Sequence, residues 1–303
     1  MKKCRFLLAM FIAFYLAPCP ADATDGMFDS NGVKIRYVTE GTGEPVVLIH
    51  GWMADSSMWG RDPSGNTKLN AAGAEGFQLI ALDCRGHGQS DKPHDRKQYG
   101  AEMAADVVRL LDHLKIEKAH LIGYSMGAFI AGKVAATHPE RVLSVVYAGQ
   151  GPLVAETPST GSTEVEVFAR AVDEGQDLGS YIIAVTPAGR PKPTEAQASA
   201  MAKFMFGGKD VKAFAAAGLS FDALEVTADQ LKRCQAPVLF IYGGNESDHV
   251  KSRVASVRAL LGRGEVKIVE GADHMTTLIR PEFGSTVVEF LRTGKIGSAG
   301  VRG

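Results

Sequence analysis

Ser125 stands in the pentapeptide Gly123-Tyr124-Ser125-Met126-Gly127, between an apolar segment with Ala119, Leu121 and Ile122 and an alanine-rich stretch over 128–137. A serine hydroxyl is a weak nucleophile until a neighbouring base takes its proton and a third group orients that base. A strand that turns sharply into a helix pushes such a serine into strained backbone space with its hydroxyl clear of the sheet. The residues on either side must then be small enough for strand and helix to pass closely. Gly123 and Gly127 provide that room. A base is offered by His274 in Gly271-Ala272-Asp273-His274-Met275, just after the strand-like segment 266–270. Upstream, Pro45-Val46-Val47-Leu48-Ile49 reads as a buried strand ending in His50-Gly51-Trp52, a turn able to aim backbone N–H groups at a developing oxyanion. The chemistry these segments point to is acyl transfer. Ser125 attacks a carbonyl carbon, His274 takes its proton and passes it to the leaving group, and the N–H groups of Trp52 and Met126 hold the oxyanion.

Two further segments join these: Leu82-Asp83-Cys84-Arg85-Gly86-His87-Gly88-Gln89-Ser90 after the fourth strand, and Pro237-Val238-Leu239-Phe240-Ile241-Tyr242-Gly243. With these five ordered matches the chain resembles the α/β-hydrolase family from about residue 27 to 291. It looks most like the cofactor-free esterase, lipase and haloperoxidase-like branch, with Ser in place of Asp as nucleophile. The resemblance implies an α/β fold, a mostly parallel doubly wound sheet of about eight strands, with a helical lid inserted after the sixth. It also implies where the third group sits. An acid follows the glycine closing the seventh strand by three residues, which from Gly243 lands on Glu246. Asp248, two residues later, carries the commoner aspartate and is the alternative acid. The segment Ala148-Gly149-Gln150-Gly151-Pro152 offers no carboxylate.

The elements needed to position these groups can be read coarsely. Strands are predicted over 33–40, 45–49, 77–83, 119–123 and 142–148, with Met103, Val107, Leu110, Leu111 and Leu114 on one face of a helix. His138-Pro139 ends the helix after the serine. From 151 to about 230 the strand rhythm stops, broken by Pro187, Pro191 and Pro193. The chain therefore divides into a leader (1–23), a core (24–150 and 231–303) and a lid insertion (151–230), ending in a polar tail over 294–303. Met201, Phe204 and Met205 fall on one helix face and, with Phe206, Phe214 and Phe221, suggest an apolar pocket roof. The Trp52 side chain either packs or faces the acyl pocket.

Lys2, Lys3 and Arg5 precede an apolar run over 6–17 and then Ala21-Asp22-Ala23, the pattern of a signal peptide cleaved after Ala23. The run is too short to span a bilayer, which takes roughly 20 residues. A secreted or periplasmic location without a stable membrane anchor is expected. A net charge of −1 gives no reason to expect nucleic acid. Cys84 and Cys234 are predicted at opposite rims of the sheet, too far apart to bridge, and no cysteine spacing suits a metal. Asp83 and Arg85 read as a structural turn network, and His50 as a brace for the oxyanion turn. The leading expectation is a hydrolase of small, partly apolar carboxylic esters that uses an acyl-enzyme and no cofactor or metal. A perhydrolase or carbon–carbon bond hydrolase on the same residues, and an idle fold that only binds a ligand, are the alternatives.

Overall fold

Alternation within each central strand sends one set of side chains to either face of a single sheet. In β3 (Glu44–Ile49), Val47 and Ile49 enter one buried cluster and Val46 and Leu48 the other. The computed structural model describes residues 23–60, 69, 73–157, 163–186 and 191–297. The leader up to residue 22, Pro187 and residues 298–303 of the tail lie outside the described residues. The other strands are β1 (Thr24–Asp29), β2 (Lys34–Glu40), β4 (Phe77–Leu82), β5 (Ala119–Tyr124), β6 (Val142–Ala148), β7 (Val238–Gly243) and β8 (Glu265–Val269). They form an eight-stranded sheet in the order β1-β2-β4-β3-β5-β6-β7-β8. β2 pairs antiparallel with β1 and β4, and every other neighbouring pair is parallel. β5 and β7 are buried at every position, as strands covered on both faces must be.

Helices α1 (Ala101–His113) and α2 (Met126–Thr137) lie on one face, where Val107, Leu110, Ile130 and Val134 join the larger cluster. Between β6 and β7 come α3 (Thr163–Asp173), α4 (Gly179–Val185), α5 (Glu195–Phe206), α6 (Val211–Gly218) and α7 (Ala228–Lys232). α8 (Asp248–Leu261) and α9 (Pro281–Thr293) complete the chain. α8 returns to the face of α2, and α9 covers the other with Phe283, Val287 and Phe290.

The sheet contains one strand the sequence pattern did not yield. β1 is an edge strand that buries Phe28 alone, so its residues carry no alternation to read. One expectation is corrected outright. Met201, Phe204 and Met205 do share a face of α5, but it points outward, with Phe204 90% exposed. Ala198, Ala202 and Phe206 form the buried face instead, packed with Phe168 and Tyr181. A Cβ on Gly179 would lie 2.8 Å from the Ser199 nitrogen, so α4 and α5 can approach only along that small-residue side.

Asp83 and Arg85 are built into turns. Asp83 accepts from the N–H groups of Ser56 and Gln89, both at 2.8 Å. Arg85 donates twice to buried Asp106, at 2.7 and 2.6 Å. Cys84 and Cys234 are both unpaired and buried. Among the described residues no helix is long and apolar enough to cross a membrane.

Candidate active site

The parallel register brings Ile49 level with Gly123, Tyr124 with Ala148, and Gly243 with Val269, so the loops carrying the candidate residues leave the sheet along one edge. Ser125 lies between the last residue of β5 and the first of α2, at φ 55° and ψ −114°. Helix α2 therefore starts at Met126, two residues before its apolar pattern becomes legible. The strain is held by close packing on both sides. A Cβ on Gly123 would overlap the Gly127 carbonyl, and one on Gly127 would overlap the carbonyl oxygen of Ile49. The Ser125 N–H donates to the Ala148 carbonyl at 2.8 Å, tying the turn to β6.

His274 and Glu246 are set by two loops that bond to each other. Gly244 and Asn245 donate their N–H groups to the carbonyls of Val269 and Ala272, at 2.9 and 2.8 Å. Asp273 folds the histidine loop by accepting from the N–H of Thr276 at 3.0 Å and its hydroxyl at 2.7 Å. The Tyr124 hydroxyl donates to the His274 carbonyl at 2.7 Å. The result is a line of hydrogen bonds. His274 Nδ1 lies 2.7 Å from Glu246 Oε1, and His274 Nε2 lies 3.1 Å from Ser125 Oγ. A carboxylate can only accept, so Nδ1 carries the proton and Nε2 is left to accept from the serine. Asp248 is exposed at the first position of α8, behind its Ser247 cap, and among the described residues no hydrogen bond joins it to His274.

Burial opposes a charge on His274. The hydrogen bond and attraction of Glu246, with Glu164 and Asp273 behind it, more than offset that, and its pKa stands above the ordinary histidine value. Glu164, on α3, is a nearby carboxylate that no sequence signal pointed to.

The His50-Gly51-Trp52 turn, expected to hold an oxyanion, has a brace. His50 is fully buried, which lowers its pKa and keeps it neutral. Its Nε2 accepts from the Cys84 N–H at 3.0 Å, so Nδ1–H donates to the Gly51 carbonyl at 2.7 Å. Holding that carbonyl fixes the plane of the peptide whose other end is the Trp52 N–H. Neither the Trp52 nor the Met126 N–H donates to another described group. The Trp52 side chain packs edge-on to Phe168 and Phe221, and its Nε1–H donates to the Phe214 carbonyl at 2.9 Å. It thus fastens the oxyanion turn to the helical insertion.

A cavity of about 630 Å³ lined by residues such as Arg36, Trp59 and Asp83 includes none of Ser125, His274 or Glu246, so chemistry rather than volume locates the site. Among the described residues no group of three or more His, Cys, Asp or Glu could hold a metal ion.

A family model described as alpha/beta hydrolase fold matches residues 44–281. Among curated proteins, the acetyltransferase component of the acetoin cleaving system of Cupriavidus necator is 39% identical over 120 residues, 39% of this chain and 29% of that protein. The chain therefore spans under a third of that relative's length. An epoxide hydrolase of Caballeronia sordidicola is 26% identical over 274 residues, 89% of this chain and 78% of its own. A solved carboxylesterase of the thaumarchaeon Nitrososphaera gargenis superposes with a TM-score of 0.71 at 22% identity, covering 89% of this chain and 98% of that one. Likeness at that identity speaks to fold alone.

Proposed function

Because the chain belongs to the α/β-hydrolase fold family, we propose that it is a serine hydrolase of carboxylic esters that works through an acyl-enzyme on Ser125. The observation that carries this reading is the unbroken line from Ser125 Oγ through His274 to Glu246 on a strained turn, with the N–H groups of Trp52 and Met126 left without a partner among the described residues. Ser125 Oγ adds to the ester carbonyl as its proton passes to Nε2 of His274. The N–H groups of Trp52 and Met126 take up the oxyanion, and His274 returns the proton to the departing alcohol. Water then repeats the sequence on the acyl-enzyme and releases the acid.

The nucleophile argues against carrying over the activity of the epoxide hydrolase relative. A carboxylate that opens an epoxide leaves an ester that water can cleave, whereas a serine would leave an ether, which has no carbonyl for water to attack. Perhydrolysis would share the acyl-enzyme and differ only in the second nucleophile. We also propose that the protein is exported after removal of residues 1–23; the strand β1 beginning at Thr24 supports a cut there.

Ser125→Ala decides the chemistry. It is expected to abolish hydrolysis of p-nitrophenyl esters and labelling by a fluorophosphonate while leaving the circular dichroism spectrum unchanged. Loss of the nucleophile in such sites costs on the order of 10⁶ in turnover. A variant that keeps more than about a hundredth of the activity, a loss of about 2.7 kcal/mol or less, would remove Ser125 from the mechanism.

A further inference from the structure

The inward face of α8 is apolar except at one position: Val250, Val254 and Val257 are buried there, and so is Arg253. Arg253 is only 6% exposed, and its Nε is buried without a hydrogen-bond partner. Among the described residues no carboxylate pairs with it; its guanidinium carbon instead lies 5.5 Å from the centre of the Phe129 ring. Burial lowers its pKa, and no acidic neighbour offsets the shift. A buried cation left without a counter-charge is among the costlier arrangements a core can hold.

Its neighbours place it on the edge of the sheet where the chemistry lies. Phe129 is one helical turn beyond Ser125 on α2. Phe221 packs on Phe129 at 5.7 Å and on Trp52 at 6.0 Å, so an aromatic row runs from the oxyanion turn to the guanidinium. A Cβ on Gly151 would lie 3.6 Å from Arg253 Cγ, and Gly151 belongs to the loop leaving β6, the strand whose Ala148 holds the Ser125 N–H. Around His274 the charge has the opposite sign: Glu246, Glu164 and Asp273 all act on it. An acidic group entering the site is repelled there and attracted to Arg253.

We propose that Arg253 recognises a carboxylate on the substrate, so that the preferred esters carry a free acid group separated from the scissile carbonyl by an apolar spacer lying along Phe129 and Phe221. This rests on the serine-hydrolase reading above and narrows it from carboxylic esters in general to acid-bearing ones.

The test compares matched esters. Monoethyl glutarate, adipate and suberate are set against ethyl pentanoate, hexanoate and octanoate, and acetates of ω-hydroxy acids against acetates of the matching alcohols, following release of the alcohol. The parent protein is expected to favour the acid-bearing member of at least one series by about tenfold or more in kcat/KM, the scale of a charge-assisted hydrogen bond. Arg253→Gln should erase that preference while leaving neutral esters within about threefold, and Arg253→Lys should retain part of it. A parent without the preference, or an Arg253→Gln variant that loses both classes alike, overturns the proposal. The second arm reads binding without turnover: adipate should raise the melting temperature of Ser125→Ala but not of Ser125→Ala/Arg253→Gln, at constant ionic strength. A parent that cleaves no ester and takes no fluorophosphonate sinks the serine-hydrolase reading, and the melting shift then still decides whether Arg253 binds a carboxylate. If Arg253→Gln fails to fold, Arg253→Lys and the parent's own preference decide between the two outcomes.

Discussion

Hydrogen-bond direction gives Glu246 its part. By accepting from Nδ1–H it fixes the tautomer that leaves Nε2 for the serine, and in the proposed mechanism it offsets the positive charge His274 gains in the transition state. Glu246→Gln should therefore lower turnover on the order of 10⁴-fold, as loss of the orienting carboxylate does in such sites. Asp248→Asn, at an exposed helix start, should stay within roughly tenfold, or about 1.4 kcal/mol. Both are read at one pH with one ester, and the reverse ranking would move the acid to Asp248. The same contact sets the pH dependence. His274 acts as base only when neutral, and its pKa is raised, so activity in the parent should fall away on the acid side below a midpoint higher than the usual 6.5. Glu246→Gln removes the largest opposition to burial and leaves only Glu164 and Asp273 against it, so the residual activity should fall at a lower pH. For stability the sign is opposite: the raised pKa contributes below the unfolded-state value and is lost as pH climbs through the folded one.

At the scale of elements, the turn between β5 and α2 was legible because its requirement is steric and local: glycine on both sides of a serine between an apolar strand and a helix. Glycine inside a helix normally costs about 1 kcal/mol relative to alanine, so Gly127→Ala would stabilise a helix that had space. Here the new methyl meets the Ile49 carbonyl of β3. The substitution should destabilise the fold by about 4 kcal/mol or more, beyond the usual range for point changes. Gly208→Ala is the control. It has φ 73° and nothing within 4 Å, and it should cost only the roughly 1–2 kcal/mol of a left-handed backbone. Urea midpoints compare the two, and equal losses would mean that the strand–helix contact is not what requires glycine. Other elements resisted reading for definable reasons. Period 3.6 identified the face shared by Met201, Phe204 and Met205 but contains no information about which way it points; the packing of Ala198 and Ala202 against α4 decides that. β1 has a single buried side chain and so no pattern. Arg253 is one charge in a helix already rich in charges, and only its burial distinguishes it.

Across the whole molecule, the sheet gathers the proposed nucleophile, base and acid from loops far apart in sequence, and the insertion between β6 and β7 is fastened to the core by contacts of unequal worth. The Trp52–Phe214 hydrogen bond and the Trp52–Phe221–Phe129 row join it to the core. The exposed pairs His94–Asp210 and Arg96–Asp222 add at most about 1 kcal/mol each and weaken with salt. The overall order of strands and loops could be anticipated because five motifs occur in a fixed sequence, whereas Glu164 could not, since it reaches His274 only through the placing of α3. The same frame governs the cysteines. Cys84 follows β4 and Cys234 precedes β7, both are buried, and burial raises both thiol pKa values, so neither is poised to oxidise. Of the four cysteines in the chain, Cys4 and Cys19 precede the proposed cut. Protein recovered from a bacterial periplasm should thus begin at Thr24, the first residue of β1, with its edge pairing to β2 intact. It should show no thiol reactive toward Ellman's reagent when native and two per chain in denaturant without reductant. A start at Met1, a lipid-modified Cys19, or a missing thiol after denaturation would each contradict that account, the first two by placing the protein elsewhere and the third by requiring Cys84 and Cys234 to meet across a sheet that holds them at opposite ends of its strands.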